Sequence, residues 1–95
     1  MRCQIVSPHS VVIVLQQKQV DAVCSNVAAI LRADREARGL SMSAVAERGS
    51  LSQQMVSYVE RGMRKPTLDT IVRMAHALDL DLSELMRRAQ KAAAK

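Results

Sequence analysis

The chain has 95 residues, a net charge of +5, a single Tyr and neither Phe nor Trp. That length allows one domain, a core made of Leu, Val, Ile, Met and Ala suits helices, and the charge favours a polyanionic partner. No Gly-rich phosphate loop, no nucleophile with its base and no paired carboxylates stand out, so the pattern is that of a non-enzyme with no cofactor.

Residues 1–20 form the first unit, an N-terminal arm. Pro8 precedes Val11 to Leu15, a continuous and mostly β-branched run, which predicts an extended strand rather than a helix. Two readings stay open for it. Either it pairs with the same strand of another subunit, or it is a disordered arm whose start codon lies too far upstream. The run is too short to span a bilayer and makes a poor signal peptide.

Residues 21–90 form the folded domain. A first helix starts between Asp21 and Asn26 and runs to Arg38, with Val23, Val27, Ile30 and Leu31 at helical spacing and Gly39 ending it. Ser41 caps a second helix of about seven residues, Met42 to Arg48, whose Val45 and small Ala46 face inward. A turn falls at Gly49, Ser50 and Leu51, with Leu51 plugging the core between two helices.

Ser52 is the N-cap of a third helix. At about 100° per residue, Gln53, Gln54, Ser57, Tyr58 and Arg61 share an arc of roughly 140°, while Met55, Val56 and Val59 take the other side. A Gln amide on the first turn of a helix entering a major groove can bond adenine N6 and N7 together, giving about 1 to 3 kcal/mol of discrimination. Arg61, Arg64 and Lys65 surround Gly62, the C′ residue, and Pro66 closes the loop. Such cations reach phosphate oxygens, which set register and salt-dependent affinity. Taken singly, two glutamines or a run of charges more often mark a solvated face; their joint spacing is what makes a helix-turn-helix signature.

Thr67 caps the fourth helix, with Asp69 near its positive end and Leu68, Ile71, Val72, Ala75 and Leu78 as the expected buried stripe. His76 falls on its exposed side. Asp81 and Glu84 resemble an acidic capping box for a fifth helix, Leu82 to about Gln90, with Leu85 and Met86 facing the core or a partner. Residues 91–95 are an Ala and Lys tail. Cys3 and Cys24 make no CxxC pair and read as reduced thiols in a cytoplasmic protein. No four-ligand cluster suggests a metal.

Leu40-Ser41, Val45-Ala46-Glu47, Leu51-Ser52, Val56-Ser57, Val59-Glu60-Arg61-Gly62, Arg64-Lys65-Pro66, Leu68, Ala75 and Leu78 resemble the Cro and phage-repressor type (XRE family) of helix-turn-helix domain. The likeness covers roughly residues 26 to 86. It implies an all-α, lambda-repressor-like bundle of about five helices that binds operator DNA, usually as a symmetric homodimer. It further implies that Arg35 pairs with Glu60, and that Gln53 and Gln54 are the paired glutamines opening the recognition helix. Glu60 lies at the edge of the apolar arc, which independently favours a structural place for it. The expected base contacts are Gln53, Gln54, Ser57 and Tyr58; the expected phosphate contacts are Ser41, Ser43, Ser52, Arg61, Arg64, Lys65 and Arg35.

Two positions depart from the family pattern. Gly49-Ser50 stands where relatives have a hydrophobic residue followed by Gly, so the turn is shifted by one residue. Met42 replaces a polar residue that often touches phosphate, leaving backbone N–H groups as the anion donors there. The leading expectation is a transcriptional regulator on double-stranded DNA. The alternatives are the antitoxin of a toxin-antitoxin pair, with a toxin as protein partner, and a protein-interaction module that reuses the fold.

Overall fold

A computed structural model describes residues 9–63 and 65–93, with the backbone alone for residues 9–16. Five helices follow in chain order: α1 (His9–Ala37), α2 (Met42–Gly49), α3 (Gln53–Glu60), α4 (Leu68–Ala77) and α5 (Leu82–Ala93). No strand occurs among the described residues. Leu31 of α1, Val45 of α2, Val56 and Val59 of α3, Met74 of α4, Leu78 just after it and Leu85 of α5 are all essentially closed to solvent. Each helix therefore contributes to one aliphatic core.

The helix boundaries follow from local chemistry. The hydroxyls of Ser41, Ser52 and Thr67 accept from the backbone N–H of Ala44, Met55 and Thr70, respectively, satisfying donors that the first turn leaves open. At the other ends of α1 to α4 the chain closes in the same paired way. Leu40, Leu51, Met63 and Leu80 donate back to the carbonyls of Arg35, Ala46, Tyr58 and Ala75, while the residue before each donates to the carbonyl three positions earlier. This is the Schellman motif, which requires a left-handed residue and usually adds an apolar one after it.

Gly39 and Gly62 supply the left-handed residue at two of these ends (φ 68° at each). At the other two it is Ser50 (φ 56°) and Asp79 (φ 53°). Gly49 is helical, and its value lies elsewhere: a Cβ there would stand 3.0 Å from the Arg73 carbonyl oxygen. The glycine allows α2 and α4 to approach. The shifted turn thus resolves into a helix ending at Gly49, a left-handed Ser50, and Leu51 folded back against the core.

Several expectations need correction. Val11 to Leu15 were expected to be extended or disordered, but they lie in α1, which starts at His9 instead of between Asp21 and Asn26. Helix continuity through Gln16, Gln17, Lys18 and Gln19, all good helix formers, outweighs the β-branched preference of the run. Residues 1–8 of the arm lie outside the described residues. At its 1.5 Å rise per residue, α1 is about 44 Å long, which accounts for the 48 Å long axis of a body only 22 × 20 Å across.

Leu68 and Val72 do not belong to the buried stripe of α4: they are 70% and 44% exposed. Met74 and Ala77 take that side of the helix instead, with Thr70 buried beside Ile71. Glu84 turns forward to Arg87 rather than back to the helix start, so no reciprocal box forms; the Asp81 carboxylate alone accepts from the Ser83 N–H. Helix α5 also runs three residues past Gln90, to Ala93.

Candidate nucleic-acid interface

Helix α3 is held by its apolar side. Val56 and Val59 are buried, Met55 is half-buried, and Gln53 and Gln54 are exposed at the first turn, with Ser57 and Tyr58 half-exposed one turn later. Arg61 follows on the surface as the C-cap residue. The polar arc and the core therefore occupy opposite sides of one short helix.

Glu60 belongs to the scaffold. Its side chain is fully enclosed, and Arg35 of α1 meets it twice, Nε to Oε2 at 2.7 Å and Nη2 to Oε1 at 3.0 Å. Arg35 Nη1 also donates to the Leu40 carbonyl at 2.8 Å. The paired carboxylate raises the guanidinium above its ordinary pKa, and the fork geometry fixes where α3 sits against the end of α1. Arg35 Nη2 also lies 3.9 Å from the exposed Glu36 carboxylate; with its side chain 12% exposed, Arg35 ties the end of α1 to α3.

Arg73 ties α4 to the end of α2 by donating to the Gly49 carbonyl, and Arg48 reaches the Ala77 carbonyl, both at 3.4 Å. Asn26 of α1 donates to the Ala89 carbonyl of α5 at 3.0 Å. The frame around α3 is thus pinned at two places, between α2 and α4 and between α1 and α5. None of these bonds was foreseen from sequence.

The glutamines are themselves held. Ser43 Oγ donates to Gln53 Oε1 at 3.2 Å, joining the first turns of α2 and α3. Gln54 Nε2 donates to the Tyr58 hydroxyl at 2.7 Å. The second bond joins positions i and i+4 of a helix, a spacing legible in the sequence; the first depends on how two helices cross.

Ser41 and Ser52 spend their hydroxyl oxygens on capping. They sit at helix N-termini, where remaining N–H groups and the positive dipole end favour anions. Lys65 is exposed and bonded to Asp21 of α1, Nζ to Oδ1 at 2.6 Å. Lys65 lowers the Asp21 pKa, with help from Gln17, and Asp21 raises that of Lys65. This partner of an expected phosphate contact was missed because 44 residues separate the two in sequence. Arg64 lies outside the described residues. The structure thus brings Gln53, Gln54, Ser57, Tyr58, Ser43 and Arg61 to the exposed side of the α2–α3 unit, and turns Arg35 and Glu60 into its support.

Among the described residues there is no group of three His, Cys, Asp or Glu side chains placed to hold a metal ion, and no helix is long and apolar enough to cross a membrane. Cys24 is a free, half-buried thiol; Cys3 lies outside the described residues.

Comparison with known proteins agrees with this geometry. A family model described as Helix-turn-helix matches residues 31–85. An uncharacterized HTH-type transcriptional regulator of Mycobacterium tuberculosis, from strains CDC 1551 / Oshkosh and ATCC 25618 / H37Rv, is 41% identical over 59 residues, which is 62% of this chain and 42% of the relative. The uncharacterized HTH-type transcriptional regulator y4dL of Sinorhizobium fredii is 42% identical over 52 residues, covering 55% of this chain and 26% of its own. The chain therefore spans less than half the length of these relatives. No solved structure gives a significant match. The family match spans α2, α3, α4 and their capped turns, and the chain belongs to the Cro/C1-type (XRE) helix-turn-helix family.

Proposed function

We propose that this chain is a sequence-specific, double-stranded DNA-binding transcriptional regulator that acts as a homodimer on an inverted-repeat operator. The observation that carries the reading is the division of α3. Val56, Val59 and Glu60 are buried in the scaffold, which leaves Gln53, Gln54, Ser57 and Tyr58 as the side available to base edges. Arg61 and Lys65, with Arg64, follow as phosphate contacts, and Ser41, Ser43 and Ser52 border the groove at the helix starts. The printed names of the relatives, HTH-type transcriptional regulators, point the same way.

In this mechanism the net charge of +5 brings the domain to DNA, the phosphate contacts set its register, and the glutamines read sequence. Two copies would set their recognition helices one DNA turn apart, roughly 34 Å. Occupying a promoter in this way blocks or recruits polymerase. The exposed Leu68 and Val72 of α4, beside a groove lined by Val23, Ile71 and Met86, favour a protein surface covering this side, taken here by the second copy. The same apolar surface suits a toxin in the antitoxin reading.

Selection of binding sites from random duplexes tests the proposal. Enrichment of an inverted repeat is the expected result. No enrichment at low salt would favour the interaction module instead.

A further inference from the structure

Lys65 sits in the loop that follows α3, directly before Pro66, yet its ammonium is held by an acid from another helix. Asp21 Oδ1 accepts from Lys65 Nζ at 2.6 Å and from Gln17 Nε2, one turn earlier on α1, at 3.1 Å. Both charged residues line an open cleft, with Ser25 on the α1 side and Gly62 and Pro66 on the side of the loop. The side chains of Lys65 and Asp21 are 60% and 54% exposed. An ion pair in that setting contributes little to folding, so it is easily broken. What it does fix is the state of the lysine. Before DNA arrives, a carboxylate already stands where a phosphate oxygen is expected.

A lysine ammonium is a compact charge on a flexible four-carbon stem. It can turn from one oxyanion to another without a change in the backbone of the loop. Sharing is the costly alternative. A phosphate oxygen and the Asp21 carboxylate on the same ammonium would stand roughly 5 Å apart, like charge against like charge. We propose that Asp21 is an intramolecular competitor for DNA: it holds Lys65 in the free chain, and binding exchanges that carboxylate for a phosphate. This rests on the reading of Lys65 as a phosphate contact, and it gives Asp21 a part in the same site. Through Asp21, helix α1, which carries none of the expected base contacts, sets how tightly the loop grips a duplex. Phosphate contacts carry no sequence information. The competition therefore weakens the hold on operator and random DNA by the same factor and leaves base preference unaltered.

Asp21→Asn tests this, because it keeps the size of the side chain and an oxygen for Gln17 while removing the charge. Affinities of the unaltered whole chain, Asp21→Asn, Lys65→Met and the double variant are measured by fluorescence anisotropy on a random duplex and on an operator obtained by selection. Thermal unfolding confirms that each variant is folded. Asp21→Asn should tighten binding to both duplexes by about twofold to fivefold at about 0.1 M salt, and the gain should shrink as added salt screens the charges. In the Lys65→Met background the same change should bring a gain smaller by about twofold or more, since no lysine is left to release. An equal gain in both backgrounds would overturn the proposal, leaving Asp21 a like charge near the DNA and nothing more. Weaker or unchanged binding by Asp21→Asn would overturn it too, making the acid a support for the loop. Lys65→Met without effect on random-duplex affinity in the Asp21→Asn background is a separate failure, that of Lys65 as a phosphate contact.

Discussion

Replacing Glu60 by Gln keeps the shape of the side chain and removes its charge. Glu60 is fully enclosed and Arg35 is 12% exposed, so this pair lies outside the regime of surface ion pairs, which contribute about 0 to 1 kcal/mol. In Glu60→Gln one amide oxygen can still accept from the guanidinium. The amide nitrogen, however, then faces a second guanidinium N–H, donor against donor, and the largely buried Arg35 keeps as counter-charge only the exposed Glu36 carboxylate, 3.9 Å from Nη2. Breaking a buried pair by removing one partner costs about 3 to 5 kcal/mol; since one acceptor and the Leu40 carbonyl remain, the lower end applies, about 3 kcal/mol. For a domain of this size that lowers Tm by roughly 12 to 24 °C, a large part of a total stability of about 5 to 15 kcal/mol. Thermal and urea unfolding followed by far-UV circular dichroism measure it. Replacing both partners with apolar residues, Arg35→Met with Glu60→Leu, should recover much of the loss, because neither charge is then left buried alone. A Glu60→Gln variant within about 0.5 kcal/mol of the unaltered chain, the scatter of ordinary surface substitutions, would refute the structural role of the pair.

The α2–α3 turn gives opposite outcomes at adjacent positions. Ser50→Gly relieves a left-handed residue and should stabilise by up to about 1 kcal/mol, whereas Gly49→Ala forces a Cβ against the Arg73 carbonyl and should destabilise by about 1 to 2 kcal/mol despite the better helix former; urea midpoints distinguish the two. Leu85→Ala should cost about 2 to 5 kcal/mol by opening a cavity, while Leu68→Ser on the exposed side of α4 should stay within about 0.5 kcal/mol in the isolated chain at a concentration where it is monomeric by light scattering. Lys65 depresses the Asp21 pKa, so the stability from this pair is present above the ordinary carboxylate range, near pH 4, and is lost as pH falls through the lowered folded value. Its Lys65 side, raised in the folded state, holds below the ordinary lysine value and is lost as pH rises through the folded one. Asp21→Asn should flatten both small slopes in stability measured against pH; an unchanged profile would refute the latch.

Much of the domain is readable in sequence because its signals are local. Ser41, Ser52 and Thr67 announce helix starts through hydroxyls that cap their own first turns, and Gly39 and Gly62 announce ends through backbone freedom. Val56 and Val59 against Gln53, Gln54 and Tyr58 sort by helical period alone. The misreadings come where a local preference competes with something non-local. Val11 to Leu15 favour a strand taken alone, but they continue a helix whose later turns are fixed by the core. Leu68 and Val72 fit the apolar stripe of α4 by spacing, but the rotation of that helix is set by Met74, Ala75 and Leu78 packing against its neighbours. Gly49 looked like turn punctuation; its small size serves a neighbouring backbone 24 residues away. The Asp21–Lys65 and Ser43–Gln53 bonds join elements whose proximity only the folded chain reveals.

The central claim is that the exposed side of α3 reads base sequence through its glutamines. The most direct measurement is the ratio of affinities for a selected operator and a random duplex, compared between the unaltered chain and Gln54→Ala at one fixed salt concentration. The account predicts a ratio that falls about tenfold or more, in line with the loss of one bidentate base contact, with random-duplex affinity nearly unchanged because phosphate contacts supply it. A ratio that Gln54→Ala leaves intact, or one already near unity in the unaltered chain, would contradict it.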